Sequence, residues 1–342
     1  MFPFFSRRVP RAAAPERLLI VGSTSTGQLA NRLLLFSHLV ALAHDRGHLL
    51  VHPAFGQYAE MFESTRGSLF CRYPATDAFY DSRAAEALTD LFFDTDPAAR
   101  DAIAERSPRA LDTLTAPEWR VRFEQFARTM CAKINAADPV SSSPLRAVHT
   151  PLLKNYYFDG VDLISKVTEY SLLFIDGWGY RAKASHKRCA EAVRRFFVPA
   201  SPYREHVETM AAAARNGTDR LIGIHIRHGD YRLFQGGRYF FPVADYARIM
   251  RRIRALLAPH RIRFVVCSNE MQLPEEFEDL DVVFGSGVAV EDLYLLAETD
   301  AVFGPMSTYN YWASYYGNIP LRWVPRADWS PTKSLLRRMR LI

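Results

Sequence analysis

Long apolar runs are missing from this sequence. No stretch of about 18 or more apolar residues occurs, so no transmembrane helix is expected. The order of a secretory signal is missing too, because Phe2, Phe4 and Phe5 precede Arg7 and Arg8 rather than follow them. Residues 1–16 read as a flexible arm, with a weak membrane-surface anchor as the other reading. Cysteine is scarce. Cys71, Cys131, Cys189 and Cys267 form no CxxC pair, which argues against a zinc ribbon or a disulfide framework and for reduced thiols in a cytoplasmic protein. Without a signal, the sequon at Asn216 reads as a chance match. Charge of one sign is only in slight excess: 43 Lys and Arg against 37 Asp and Glu leave +6. That suits an anionic ligand but is too diffuse for a nucleic-acid binder. Internal repeats and low-complexity tracts are also lacking.

What is there is ordinary globular material, 49% hydrophobic over 342 residues. Arg17 to Ser23 reads as a strand. Leu29, Leu33, Phe36, Val40 and Ala43 then recur at helical spacing up to Gly47, and His48 to Phe55 reads as a second strand. Strand, turn, helix and strand make one βαβ unit. Between Asp81 and Asn135 the composition is helical, interrupted by Pro97, Pro108 and Pro117. Leu172 to Asp176 reads as a strand and Arg181 to Phe197 as one helix. Past a linker near residue 200, strands are expected at Leu221–Ile226, Arg263–Cys267, Val282–Gly285 and Ala301–Phe303. Helices are expected at Val243–Ala258, Glu291–Glu298 and Ser307–Tyr316, the last closed by Gly317. The fold class is α/β. The expected domains are 17–200 and 201–325, with a tail over 326–342.

In open parallel sheets, ligands bind beyond the carboxyl ends of strands. Three segments stand there. In GIHIRHGDYR, Ile222, Ile224 and Ile226 face one way while His225 and Arg227 face the other. A buried Arg needs a partner; that partner is either an anionic ligand or Asp230 within the loop. In FGPMSTYNYWASYYG, Ser307 can cap a helix whose free N–H groups form an anion site, with Thr308 and Tyr309 adding hydroxyls. A plain capped helix is the alternative. In GSTSTGQLANRL, a small-residue turn precedes Gln28, Asn31 and Arg32, without GxGxxG or a P-loop.

A departing pyrophosphate needs metal, cationic side chains or backbone donors. The DxD at Asp94-Thr95-Asp96 lies in a helix-rich acidic stretch and reads as a solvated face or a helix cap. Arg227 and the helix after Ser307 can meet the charge without metal, so no cofactor or metal is expected.

GQLANRLLLFSHLVALA, HIRHGDY and DLYLLAETDAVFGPMSTYNYWASYYG, in that order, resemble the GDP-fucose-dependent fucosyltransferase superfamily, nearest to bacterial α1,2-fucosyltransferase-like proteins. The resemblance implies a GT-B type fold, two Rossmann-like domains facing a cleft. It also implies inverting, metal-independent transfer of fucose from GDP-fucose to an oligosaccharide or lipid-linked glycan. On matching positions, Arg227 binds the diphosphate and His225 lies near guanine or ribose. Asp292 pairs with the guanine edge, Ser307 and Thr308 bind phosphate, and Asn31 and Arg32 line the cleft from the N-terminal half. Ala30 and His228 stand where the family commonly has Gly and Arg. Asp230, Asp176, Glu60 and Glu63 are candidate general bases, each with a structural reading beside it. Two alternatives stay open: transfer of another nucleotide sugar, and a non-catalytic nucleotide-sugar-binding protein. The basic tail from Ser334 to Ile342 reads either as a peripheral membrane contact or as a helix packed on the domains.

Overall fold

The computed structural model describes residues 18–24, 26–136, 145–149, 155–158 and 171–342. The expected N-terminal arm lies outside them. The chain forms two compact units. Of the described residues, one contains those through Thr24, His38–Gln57 and those within 67–189; the other contains 26–37, Tyr58–Arg66 and Ala190–Ile342.

The first unit is built on β1 (Leu18–Gly22). Helix α1 (Leu29–Arg46) follows it and gives its second half to this unit. Next come β2 (Leu49–Val51) and the antiparallel edge strand β3 (Arg72–Tyr73). The strand expected over His48 to Phe55 is therefore short, and Pro53–Met61 winds as a 3-10 helix instead. The prolines of the helical stretch start helices rather than only breaking them. After α2 (Arg83–Thr95), Pro97, Pro108 and Pro117 are the first residues of α3 (Pro97–Ala102), α4 (Pro108–Asp112) and α5 (Pro117–Ala136). A first-turn N–H has no helical partner, so proline loses nothing there. Asp96 caps α3 by accepting from the Ala98 and Ala99 amides, which makes the DxD a cap. β4 (Leu145–His149), β5 (Tyr156–Tyr157), β6 (Ser171–Asp176) and β7 (Tyr180–Arg181) follow. The sheet order is β3-β2-β1-β6-β4, while β5 and β7 pair separately. Leu19, Val21, Leu49, Val51, Phe92, Phe123 and Phe174 share its core.

The helix expected over Arg181 to Phe197 is two: α6 (Lys183–Arg188) ends at Cys189, and α7 (Ala190–Phe196) begins the longest stretch of the second unit. α8 (Ser201–Arg215), β8 (Arg220–Ile226), α9 (Val243–Leu257) and β9 (Ile262–Ser268) come next. They are followed by β10 (Val282–Phe284), α10 (Ala289–Ala297), β11 (Ala301–Gly304), α11 (Thr308–Gly317), β12 (Leu321–Trp323) and α12 (Lys333–Arg338). The five strands are all parallel in the order β10-β9-β8-β11-β12. The order reverses between β8 and β11. α9 buries Tyr246, Ile249, Ile253 and Leu257, the face its periodicity predicts.

The expected boundary at residue 200 differs from this division. The first half of α1 joins the second unit because Phe36 packs edge-on against Phe196 and Phe197, at 5.5 and 5.2 Å. Residues 58–66 join it through Ala200 N to Met61 O (2.9 Å) and Glu63 N to Val198 O (3.1 Å). Gly317 does not close α11. Asn318, at φ 53°, takes the left-handed position that ends the helix. A Cβ on Gly317 would sit 2.1 Å from the Ala297 carbonyl oxygen, so this glycine serves the close approach of α11 to α10.

Of the two readings of the tail, the packed helix is present: Leu336, Met339 and Leu341 are buried in the core with Ile222 and Phe264. Among the described residues no helix is long and apolar enough to cross a membrane. The four cysteines are free thiols.

Candidate active site

β8 and β11 are neighbours on either side of the strand-order reversal, and both end at the same edge of the sheet. A crevice forms where successive connections leave in opposite directions, and ligands of such sheets bind there. Arg227 directly follows β8, and the turn Pro305–Ser307 directly follows β11.

Arg227 is largely buried, with 17% of its side chain exposed, and its Nη2 lies 2.8 Å from Asp230 Oδ1. The same nitrogen donates to Gln28 Oε1 at 3.2 Å, and the guanidinium stands 5.4 Å from the Tyr231 ring centre. The internal pairing with Asp230 is therefore present. Asp230 is 57% exposed, so water screens the pair and an incoming anion can compete for the arginine.

His228 anchors the loop. Its amide donates to Asn269 Oδ1 at 2.8 Å, and its Nε2 lies 2.9 Å from the Phe241 carbonyl oxygen. A carbonyl can only accept, so Nε2 carries the proton. The buried imidazole and its backbone amide together tie the loop to Phe241 and Asn269.

Ser307 caps α11: its Oγ accepts from the Tyr309 amide at 3.1 Å. No acidic side chain occupies the first turn of this ten-residue helix, so its positive end is not neutralised from within. Tyr231 donates its hydroxyl to the Met306 carbonyl at 2.9 Å, which ties the Arg227 loop to the start of α11. Asn310, fully buried, donates Nδ2 to the Pro305 carbonyl at 2.7 Å. A Cβ on Gly304 would stand 2.4 Å from that Nδ2 and 2.9 Å from the His225 carbonyl, so only glycine lets the turn close on β8.

The first turn of α1 reaches both elements. Gln28 meets Arg227, and the Thr308 hydroxyl donates to Asn31 Oδ1 at 2.8 Å. Arg32 bonds the Gly27 carbonyl through Nε at 3.1 Å and lies 5.3 Å from the Tyr58 ring. Asn31 and Arg32 belong to the second unit, although they come from the N-terminal half of the sequence; Asn31 meets α11, while Arg32 contacts Gly27 and Tyr58.

His225, which the resemblance places near guanine or ribose, is buried. It is 3% exposed and stacks on Tyr309 at 4.7 Å. Burial, then the charge on Arg227, hold its imidazole at about 3, so it is neutral at physiological pH. The Tyr309 hydroxyl donates to the Ala289 carbonyl at the start of α10, at 2.8 Å. Asp292 sits in the first turn of α10, 4% exposed, where its Oδ1 accepts from Gly287 N and Ser286 Oγ at 3.3 and 3.4 Å. Burial outweighs those donors and raises its carboxyl to about 6.

Among the other carboxylates, Glu63 is committed to structure. It accepts the Ser201 amide at the start of α8 (2.8 Å) and faces Arg66 and Arg204. Glu60 is exposed in the second unit. Asp176 belongs to the first unit and accepts from Thr24 Oγ1 at 3.1 Å. Sequence reasoning missed Tyr231 and Asn310. A tyrosine four residues past the arginine, and an amide on the apolar face of a helix, were the available signals.

A mutant of Arabidopsis thaliana FUT1, solved in complex with GDP, matches 91% of this chain and 71% of its own at TM-score 0.50 and 15% identity, a likeness of fold. Residues 200–319 match the model of glycosyl transferase family 11. Galactoside alpha-(1,2)-fucosyltransferase 1 is 29% identical in Rattus norvegicus and 30% in Homo sapiens over 138 residues. That match covers 36% of this chain and 37% and 38% of those proteins, so the chain spans little more than a third of their length.

Proposed function

We propose that this protein is a metal-independent, inverting fucosyltransferase that moves fucose from GDP-fucose to a glycan hydroxyl. One observation carries the reading: Arg227 and the unneutralised amino end of α11 follow neighbouring strands at the reversal of strand order. A diphosphate held there meets a guanidinium and helix N–H groups as its charge develops. The acceptor oxygen bonds to the anomeric carbon on the face opposite GDP. The bond from that carbon to the diphosphate breaks, and its electron pair leaves with GDP. Asp230, ion-paired with Arg227 and mostly exposed, is the base that this reading selects for the acceptor proton. Asp292 accepts N–H donors of the guanine, with Tyr309 and His225 flanking the ribose side. The reading includes the GT-B arrangement of two Rossmann-like domains that the resemblance implies. The names of the matching relatives make a galactoside the first acceptor to try.

The test is turnover of GDP-fucose by the wild type and by Arg227→Ala, without added metal. The account expects a loss of about 10²–10³-fold in kcat with an unchanged unfolding temperature. Near-normal turnover in the folded variant would refute the role.

A further inference from the structure

Three aromatic rings gather outside the core immediately beyond Arg227. Tyr231 stacks on Phe234 at 5.3 Å with 22° between planes, and both lie 6.5 Å from Tyr239. Phe234 is 45% exposed, its neighbour Leu233 is 86% exposed, and Met306, whose carbonyl receives the Tyr231 hydroxyl, is 50% exposed. Apolar side chains scattered singly on a surface are commonplace, but a contiguous group calls for an occupant. The segment that carries them is bent back sharply: Gln235, Gly236 and Gly237 take φ of 50°, 68° and 76°. The rings are therefore held together by a built turn.

We infer that Tyr231, Phe234 and Tyr239 form the acceptor platform, a surface that takes the apolar face of a pyranose ring. The inference rests on the transferase reading and names the part of the site that receives the second substrate. A pyranose presents C–H groups on one face and hydroxyls around its edge. Aromatic rings match the face, and a polar rim matches the edge. The rim here holds Asp230, Gln235 and Arg238; Asp230 and Gln235 are exposed, and the Arg238 guanidinium stands 5.6 Å from the Tyr239 ring. Position selects the acceptor over the nucleobase. Tyr231 carries the Arg227 guanidinium at 5.4 Å, so a sugar resting on the platform borders the place where the donor's bond breaks. Asp292, assigned to the guanine edge, follows β10, two strands away in the sheet order from β8. The aromatic group is free of the base.

The experiment is saturation-transfer NMR of methyl β-galactoside and methyl β-glucoside with the full chain saturated with GDP, for the wild type, Phe234→Ala and Phe234→Tyr. GDP affinity is measured in parallel by calorimetry. Phe234→Ala should weaken pyranoside binding at least about tenfold and leave GDP affinity unchanged, while Phe234→Tyr restores it. Pyranoside binding equal to wild type in Phe234→Ala overturns the platform, as does a wild type that binds GDP and neither sugar. A loss of GDP affinity in Phe234→Ala also overturns it and moves the rings to the donor. Failure of the wild type to bind GDP at all sinks the transferase reading instead. Because Phe234 lies outside the core, the variants should keep the wild-type unfolding temperature.

Discussion

The Thr308 hydroxyl donates to the Asn31 carboxamide oxygen at 2.8 Å, joining residues 277 positions apart in the chain. This bond pins the first turn of α1 to the first turn of α11, while Gln28, three residues before Asn31, meets Arg227. Thr308→Val keeps the shape and removes the donor. It should cost about 1 kcal/mol of stability and weaken GDP binding severalfold. Asn31→Ala should do the same, and the double variant should fall short of the sum because both changes break one contact. Denaturant unfolding and calorimetry on the three variants check this.

Asp292 ties function to pH. Its folded pKa of about 6 lies above the 3.8 of an ordinary Asp because burial disfavours the charge. A raised carboxyl stabilises the fold fully below its unfolded pKa, and that contribution is lost as pH rises through the folded pKa. At neutral pH the ionised group therefore costs on the order of 3 kcal/mol. Asp292→Asn should raise the unfolding temperature at about pH 8 and change it little at about pH 4. The same variant should bind GDP more weakly, and wild-type GDP affinity should fall as pH drops below 6. A stabilised variant with undiminished GDP affinity would remove Asp292 from the guanine site.

The C-terminal tail is structural. Leu336 is fully buried with Ile222 and Phe264, so Leu336→Ala should cost about 2–5 kcal/mol. Thermal unfolding in the absence of lipid measures it. A tail whose leucine faced a membrane would leave the soluble protein's stability unchanged.

Much of this site was legible in the sequence because its parts obey local rules. Ser307 before an apolar-faced helix reads as a cap, and isoleucines at alternate positions read as a buried strand ending at Arg227. The reversal between β8 and β11, which gives those ends their meaning, depends on which strands pair, and pairing leaves no mark on either segment. Asn31 and Arg32 were assigned to the N-terminal half because they lie there in the chain. The packing of Phe36 on Phe196 and Phe197, with the Thr308–Asn31 and Arg227–Gln28 hydrogen bonds, moves them. Strand alternation set His225 on the face of Arg227 as a basic side chain, but a sheet covered on both sides buries both faces, and burial removes its charge. The break at Cys189 was illegible for a similar reason: helical composition runs through it, and the change of unit there is a tertiary event.

The most direct measurement compares GDP with guanosine on the wild type and on Arg227→Ala by calorimetry. If a guanidinium beside the start of α11 holds the diphosphate, the variant loses about 100-fold in GDP affinity and binds guanosine as the wild type does. Equal GDP affinity in the two proteins, or an equal loss for both ligands, would contradict it.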